Sequence, residues 1–214
     1  MNVKVKYYKS VTFTFEMSVN KEEKSLICRN DDAFEKMLQE AVRGHSFVHW
    51  TPVEVIKTAV DWLGTGRNNR VLDIGSGTGK FCLVAAMNSN AHYTGVELRE
   101  NLYQEAQRLK SELELSNVEF IHGDVKNIDF NNFTSFYFYN PFCEHIAISG
   151  GIDDQISFDE DAFYSYQELV ENKLKETPKG TKLVKYCSPE LEISMDFDLH
   201  DMYFDGQLQL WIKN

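Results

Sequence analysis

A glycine-rich turn near the middle of the chain follows a short apolar stretch. Residues 70–74 include Asp73, and Gly75, Gly77 and Gly79 follow at every second position. Glycine allows positive φ and lets a ligand approach the backbone closely, so this spacing is typical of a cofactor-binding turn between a strand and a helix. The sequence therefore predicts a ligand site at this turn.

Two phosphate-binding motifs fit the turn poorly. A P-loop aligned on Gly79 and Lys80 would need glycine at position 74 and Ser or Thr at position 81, which are Ile74 and Phe81. The dinucleotide fingerprint G-x-G-x-x-G places its third glycine at position 80, which is Lys80. These mismatches disfavour a kinase or an ATPase and leave a nicotinamide-dependent oxidoreductase as an alternative.

Polar residues also end the next three apolar stretches. Glu97 lies near the end of residues 92–98, Asp124 follows Gly123, and Asn140 follows residues 135–139. A carboxylate at position 97 can accept both hydroxyl groups of a ribose. The carboxyl ends of parallel strands meet at one edge of a sheet, so these side chains are expected to share a site. The alternatives are that Glu97 caps the following helix and that Asp124 and Asn140 belong to ordinary turns.

The turn and the later strand ends resemble the motifs of class I S-adenosylmethionine-dependent methyltransferases over residues 70–142. In that family the turn approaches the methionine portion of the cofactor, one carboxylate binds the ribose, and a later acidic residue and its neighbour receive the adenine. The resemblance implies S-adenosylmethionine as the cofactor. The implied cofactor-binding residues are Asp73, Gly75, Ser76, Gly77, Thr78, Gly79, Glu97, Leu98, Asp124, Val125 and Asn140. Trp50 and Thr51 are added because they precede a helix whose N-terminus could face the cofactor carboxylate.

The segment from Asn140 to Phe142 is similar to the [DN]-P-P-[FY] motif of amino-group methyltransferases, with one proline fewer. In those enzymes the Asn holds the target nitrogen and the aromatic ring stacks on the substrate. The resemblance implies transfer of a methyl group to nitrogen, with Asn140 as the orienting residue, Phe142 as the stacking ring, and Glu144 and His145 as candidate bases. A weaker resemblance to non-SET protein lysine methyltransferases implies a protein side chain or a small-molecule amine as the acceptor.

Composition limits the partners and the compartment. The formal net charge is −11, which disfavours nucleic acid as a partner because binding a phosphate backbone depends largely on Lys and Arg. The four cysteines are far apart, and no apolar run approaches the ~20 residues of a membrane span. His45 and His49 have metal-ligand spacing, but Gly44 and Pro52 predict a loop there. We therefore expect a cytoplasmic protein without a metal site; a non-catalytic nucleoside-binding domain is the alternative to an enzyme.

The elements around these residues alternate between strand and helix, which predicts an α/β fold. We expect a doubly wound, mostly parallel sheet of the Rossmann-like methyltransferase type, ending in an antiparallel hairpin around Asp205-Gly206. Residues 1–50 are predicted to form a small strand/helix extension, and residues 51–214 to form the S-adenosylmethionine-binding domain.

Three local predictions concern the ends of the chain. Residues 31–44 are predicted to form one helix capped by Asp31 or Asp32, and Thr51 is predicted to cap the next helix, which Gly64 ends. Residues 190–200 alternate in polarity, which predicts a strand with one acidic and one apolar face. The members of the acidic face are Glu190, Glu192, Asp196 and Asp198. That face could attract a basic protein tail, or it could be the solvated side of an edge strand.

Overall fold

The computed structural model describes residues 19–43, 50–146 and 158–214. Of the predicted features, the strands before residue 19 and the histidines His45 and His49 lie outside these residues. The helices are α1 (Lys21–Ile27), α2 (Asp31–Glu35), α3 (Glu40–Arg43), α4 (Val53–Leu63), α5 (Lys80–Asn88), α6 (Glu100–Glu112) and α7 (Glu160–Lys175). The strands are β1 (Arg70–Ile74), β2 (His92–Glu97), β3 (Val118–His122), β4 (Ser135–Phe138), β5 (Lys182–Tyr186), β6 (Phe197–Tyr203) and β7 (Leu208–Lys213).

All seven strands form one sheet in the order β3-β2-β1-β4-β5-β7-β6. Strands β1 to β5 pair in parallel, whereas β7 lies antiparallel between β5 and β6. The predicted α/β fold and its C-terminal hairpin are therefore confirmed. Because β1 lies between β2 and β4, the strand order reverses there, and this switch point is where α/β sheets bind ligands.

The sheet separates two apolar cores. Side chains of α4, α5 and α6 pack with Tyr137 on one face, whereas α7 packs with Phe136 and Phe138 on the other. Neighbouring residues of β4 point to opposite faces, as the pleat of a strand requires. Among the described helices, none is long and apolar enough to cross a membrane.

The helix predicted over residues 31–44 is broken into α2 and α3. Asn30 caps α2, in place of the predicted Asp31 or Asp32. In the break, the carbonyl of Met37 accepts a hydrogen bond from Arg108 at 2.6 Å, and the backbone N–H of Gln39 donates to Glu105 at 2.8 Å. Both partners lie on α6, so tertiary bonds replace the helical ones.

Thr51 does not cap α4, contrary to the prediction. Its hydroxyl lies 2.9 Å from the hydroxyl of Tyr137 in the core. The N–H of Val53 donates instead to the carboxylate of Asp31 at 3.0 Å, so a residue of α2 caps α4 across space. The helix ends at Gly64 with φ +94°, as predicted.

Lys80, next to the glycine-rich turn, forms an ion pair with Asp31 of α2. Its side chain is buried at the start of α5, and its ammonium lies 2.5 Å from the carboxylate of Asp31. The same ammonium lies 5.7 Å from the ring centroid of Phe34. A cation is unfavourable at a helix N-terminus, so the Asp31 carboxylate compensates both the burial and the helix dipole.

The predicted strand over residues 190–200 begins only at Phe197. Leu191 is 1% exposed and Met195 is 98% exposed, although an unbroken strand would place them on one face. Asp196 forms an ion pair with Lys213 of β7 at 3.0 Å, which draws it off the predicted acidic face. The prediction of a continuous acidic face is therefore wrong. The hairpin turn is confirmed, with Asp205 at φ +53°.

Candidate functional site

A cavity of about 280 Å³ opens at the carboxyl ends of β1 to β4, beside the switch point. Residues that the sequence predicts for the site supply much of its wall. These are Trp50, Gly75, Gly77, Glu97, Leu98, Asp124, Val125, Asn140, Phe142, Glu144 and His145. Segments that are far apart in sequence thus converge on one space.

The glycine-rich turn is shaped by contacts that exclude a side chain. Gly75, Gly77 and Gly79 have φ of +73°, +54° and +78°. A Cβ on Gly75 would lie 2.3 Å from Cβ of Pro141, and one on Gly79 would lie 2.4 Å from a ring carbon of Phe120. Glycine is therefore required both by conformation and by close packing.

Glu97 ends β2 and already binds the backbone around the cavity. One carboxylate oxygen accepts the N–H of Gly77 at 2.9 Å, and the other accepts the N–H of Arg99 at 2.8 Å. Burial raises the pKa of Glu97, while these two hydrogen bonds oppose the rise. Each carboxylate oxygen has a second acceptor position, so the group can receive two further hydroxyl donors.

Five predicted residues do not line the cavity. The carboxylate of Asp73 accepts a hydrogen bond from the Cys82 thiol at 3.5 Å, and burial raises the pKa of Asp73 to about 7. Thr51 lies in the core against Tyr137. Ser76, Thr78 and Gly79 also lie outside the cavity wall. Asp73 and Thr51 thus lie in the core next to the turn, and the other three residues belong to the turn itself.

Asp124 lies at the end of β3, where the sequence predicts it, and Tyr166 of α7 holds it. The phenol of Tyr166 donates to one oxygen of Asp124 at 2.7 Å, and the backbone N–H of Lys126 donates to the other at 2.9 Å. Burial opposes ionisation of Asp124, but hydrogen bonds from Lys126 and Tyr166 outweigh it and keep its pKa below the ordinary value. No sequence motif marks Tyr166, which lies in a helix far along the chain.

Asn140 adopts an unusual backbone conformation where β4 ends. Its φ is +40°, and its N–H donates to the buried hydroxyl of Ser188 at 2.7 Å. The side-chain oxygen of Asn140 is buried and has no hydrogen-bond partner among the described residues. Cys187 also has positive φ, +44°, and lines the same cavity. Such strain in non-glycine residues concentrates at functional sites.

The other residues predicted for the acceptor side lie in different surroundings. Phe142 is buried, and its ring stacks on Tyr166 with centroids 4.9 Å apart. His145 lies parallel to the same ring at 6.0 Å. The carboxylate of Glu144 forms a buried ion pair with Arg99, a residue that the sequence does not single out. Phe142 and His145 therefore both pack against Tyr166, which is hydrogen-bonded to Asp124.

Comparison with known proteins identifies a family model described as a methyltransferase domain, which matches residues 66–188. A tRNA (guanine-N(7)-)-methyltransferase of Prochlorococcus marinus (strain MIT 9215) is 32% identical over 81 residues, 37% of this chain and 39% of the relative. The 23S rRNA (uracil(1939)-C(5))-methyltransferase RlmD of Shewanella sediminis is 39% identical over 71 residues, 33% of this chain and 16% of the relative. The matches thus span two fifths or less of these relatives.

Solved structures show the same fold at low identity. An RNA methyltransferase from Salinibacter ruber, in complex with S-adenosyl-L-homocysteine, has a TM-score of 0.54 and 20% identity, and the match covers 77% of this chain and 92% of that chain. TrmN from Thermus thermophilus has a TM-score of 0.56 and 18% identity, with 78% and 50% covered. At these identities the likeness establishes the architecture.

Proposed function

Since the chain belongs to the family of methyltransferase domains that matches residues 66–188, we propose that this S-adenosylmethionine-dependent methyltransferase transfers its methyl group to an acceptor nitrogen. The observation that carries the proposal is the buried, unpartnered side-chain oxygen of Asn140 in the cavity wall. A buried polar atom without a partner costs free energy unless a ligand satisfies it. An amide oxygen accepts hydrogen bonds from N–H and O–H groups, and the similarity of residues 140–142 to the motif of amino-group methyltransferases favours an N–H.

The cavity wall fits the cofactor. Gly77 has no side chain, which leaves room beside the turn for the methionine portion of the cofactor. The indole N–H of Trp50 lies next to Gly77 and has no partner among the described residues. Glu97 would hold the ribose hydroxyls, and Asp124 with Val125 would hold the adenine. When bound, S-adenosylmethionine supplies a methyl group already activated by a positively charged sulfur.

The residues around Asn140 would orient the acceptor. If Asn140 accepts an N–H of the acceptor, the hydrogen bond would fix the direction of the nitrogen lone pair relative to the methyl group of the cofactor. Such positioning can lower a barrier by several kcal/mol. An aliphatic amine must first lose a proton to solvent, because only the neutral amine has a free lone pair, and desolvation on entering the cavity disfavours the charged form. The wall therefore assists a nitrogen acceptor by geometry and by polarity.

The charges of the wall disfavour a phosphate-rich acceptor. Glu97, Asp124 and Glu144 contribute carboxylates, and among the described residues of the wall only Arg99 contributes a guanidinium, which is paired with Glu144. With the acidic net charge of −11, this disfavours a phosphate backbone near the cavity. A protein side chain or a small-molecule amine is the acceptor class that we propose first.

RNA is the second candidate, because the similar proteins described above carry names of tRNA and rRNA methyltransferases. The named target atoms, N7 of guanine and C5 of uracil, offer no N–H that Asn140 could accept. An exocyclic amino group of a base does offer one. If RNA is the acceptor, we therefore expect methylation of an amino group.

A transfer assay with radiolabelled methyl donor on a cell lysate tests the proposal. After separation into protein, RNA and small-molecule fractions, we expect label in the protein or small-molecule fraction and at least a tenfold loss with Asn140→Ala. Asn131→Ala, at an exposed position outside the cavity, is the control. Label only in RNA would favour the second candidate. Label on oxygen or carbon, or none despite S-adenosylhomocysteine binding, would overturn transfer to nitrogen.

A further inference from the structure

His145 carries a third unsatisfied atom in the cavity wall, after those of Asn140 and Trp50. Its Nδ1 is buried and has no hydrogen-bond partner among the described residues. The residue lies in the 3-10 turn Cys143–His145, and its carbonyl accepts the N–H of Asp159, which fixes the backbone there. A buried ring nitrogen in a fixed position indicates a ligand group that completes its hydrogen bonding.

The surroundings of His145 place it away from the acceptor side. Its ring is nearly parallel to that of Tyr166, with ring centroids 6.0 Å apart. The Tyr166 hydroxyl in turn donates a hydrogen bond of 2.7 Å to the Asp124 carboxylate. In the sheet order β3-β2-β1-β4, Asp124 follows β3, two strands from the switch-point strand β1. With the ribose at Glu97 of β2, the base of the cofactor would extend towards β3 and thus towards this group.

We propose that His145 is a specificity-determining residue for the purine of the cofactor and that Tyr166 is the positioning residue beside it. The Nδ1 of His145 hydrogen-bonds a nitrogen on the edge of the purine. The ring of Tyr166 supports the imidazole and holds the Asp124 carboxylate in place. This role replaces the general-base role expected for His145 from the sequence. It concerns the cofactor alone, so it does not depend on the nature of the acceptor.

Two variants of His145 separate hydrogen bonding from packing. His145→Phe retains an aromatic ring against Tyr166 and removes both nitrogens, whereas His145→Asn retains a polar atom near the position of Nδ1. We expect His145→Phe to weaken S-adenosylhomocysteine binding about five- to tenfold by calorimetry and His145→Asn to weaken it less. His92→Phe is the control and should leave binding unchanged. His92 is exposed at the amino end of β2, whereas the cavity lies at the carboxyl ends of the strands.

Purine analogues then test which contact is lost. S-adenosylhomocysteine analogues in which N1, N3 or N7 is replaced by carbon, or from which the 6-amino group is absent, are titrated into the wild type and His145→Phe. We expect one analogue to bind the wild type more weakly than the parent compound but to bind His145→Phe equally well. If every analogue loses the same factor in both proteins, or if His145→Phe binds S-adenosylhomocysteine like the wild type, the proposal is overturned.

Activity provides an independent readout. At saturating S-adenosylmethionine, His145→Phe is expected to retain its turnover number in the lysate transfer assay while the KM for the cofactor rises. A fall in turnover with unchanged cofactor binding would identify His145 as a base and refute the purine role. Circular dichroism and thermal unfolding of both variants show whether they remain folded, and the binding data are interpreted for the folded variants.

Discussion

The strand ends that we propose for the cofactor differ from the strand end proposed for the acceptor in how their polar groups are satisfied. Glu97 and Asp124 already accept hydrogen bonds from the surrounding backbone. Asn140 instead has a buried oxygen without a described partner, and both Asn140 and Cys187 adopt positive φ. A cofactor shared by a large family can be received by preassembled local geometry. We expect the ligand specific to this chain at the strand end where backbone strain persists, beside Asn140 and Cys187.

The largest expected effect is on the cofactor side, at Glu97. Glu97→Ala removes the carboxylate that holds Gly77 and would receive the ribose, so we expect about 1000-fold weaker S-adenosylhomocysteine binding, ~4 kcal/mol, by calorimetry. Glu119→Ala, on the exposed side of β3, is the matched control. If a folded Glu97→Ala protein binds S-adenosylhomocysteine with unchanged affinity, the proposal that Glu97 receives the cofactor is wrong.

Asp73 and Glu97 are both buried carboxyl groups, but their replacement is expected to have different effects. The pKa of Asp73 is about 7 in the folded protein against an ordinary value of 3.8, because the carboxyl is buried. The folded state therefore binds more protons than the unfolded state between these values. The free energy of unfolding consequently falls as pH rises towards 7 and stays low above it.

Asp73→Asn removes this dependence. Between pH 5 and pH 8 the wild type should lose about 3 kcal/mol of unfolding free energy relative to the Asn variant, as measured by urea denaturation at both pH values. Binding of S-adenosylhomocysteine should change far less than in Glu97→Ala, since Asp73 does not line the cavity. Parallel pH profiles for the two proteins would contradict the assignment of a buried, protonated Asp73.

The smallest effect is expected at Ser188 on the acceptor side. Ser188→Ala leaves the N–H of Asn140 without its acceptor and should cost about 1–2 kcal/mol in urea denaturation. Ser116→Ala, at an exposed position between α6 and β3, is the control, and its stability should hardly change. Methyl transfer should fall more than S-adenosylhomocysteine binding in Ser188→Ala. Equal losses would mean that Ser188 supports both sides alike.

The sequence predicts the centre of the fold well because local patterns specify it. The turn from Gly75 to Gly79 lies between β1 and α5, and alternating strands and helices follow in the predicted order. The predictions at residues 31–44, 51 and 190–200 are wrong because distant partners decide those conformations. Glu105 and Arg108 break the N-terminal helix, and Lys213 draws Asp196 out of the predicted face.

The candidate site shows the same division. Glu97, Asp124 and Asn140 lie at the cavity because each follows a strand that the sequence reveals. Arg99 and Tyr166 were not predicted, since neither belongs to a motif and their partners lie 45 and 42 residues away in the sequence. A motif also does not predict the direction of a side chain. Asp73 lies at the predicted strand end, but its carboxylate faces Cys82 in the core.

The ion pair between Lys80 and Asp31 constrains how the chain can vary over evolution. The two residues are 49 positions apart, and losing Asp31 alone would leave a buried ammonium without its counter-charge and α4 without its cap. A tolerated replacement of one therefore requires a matching replacement of the other. Among close relatives we expect the two positions to change together, with an apolar residue at position 80 accompanying the loss of the acid at position 31.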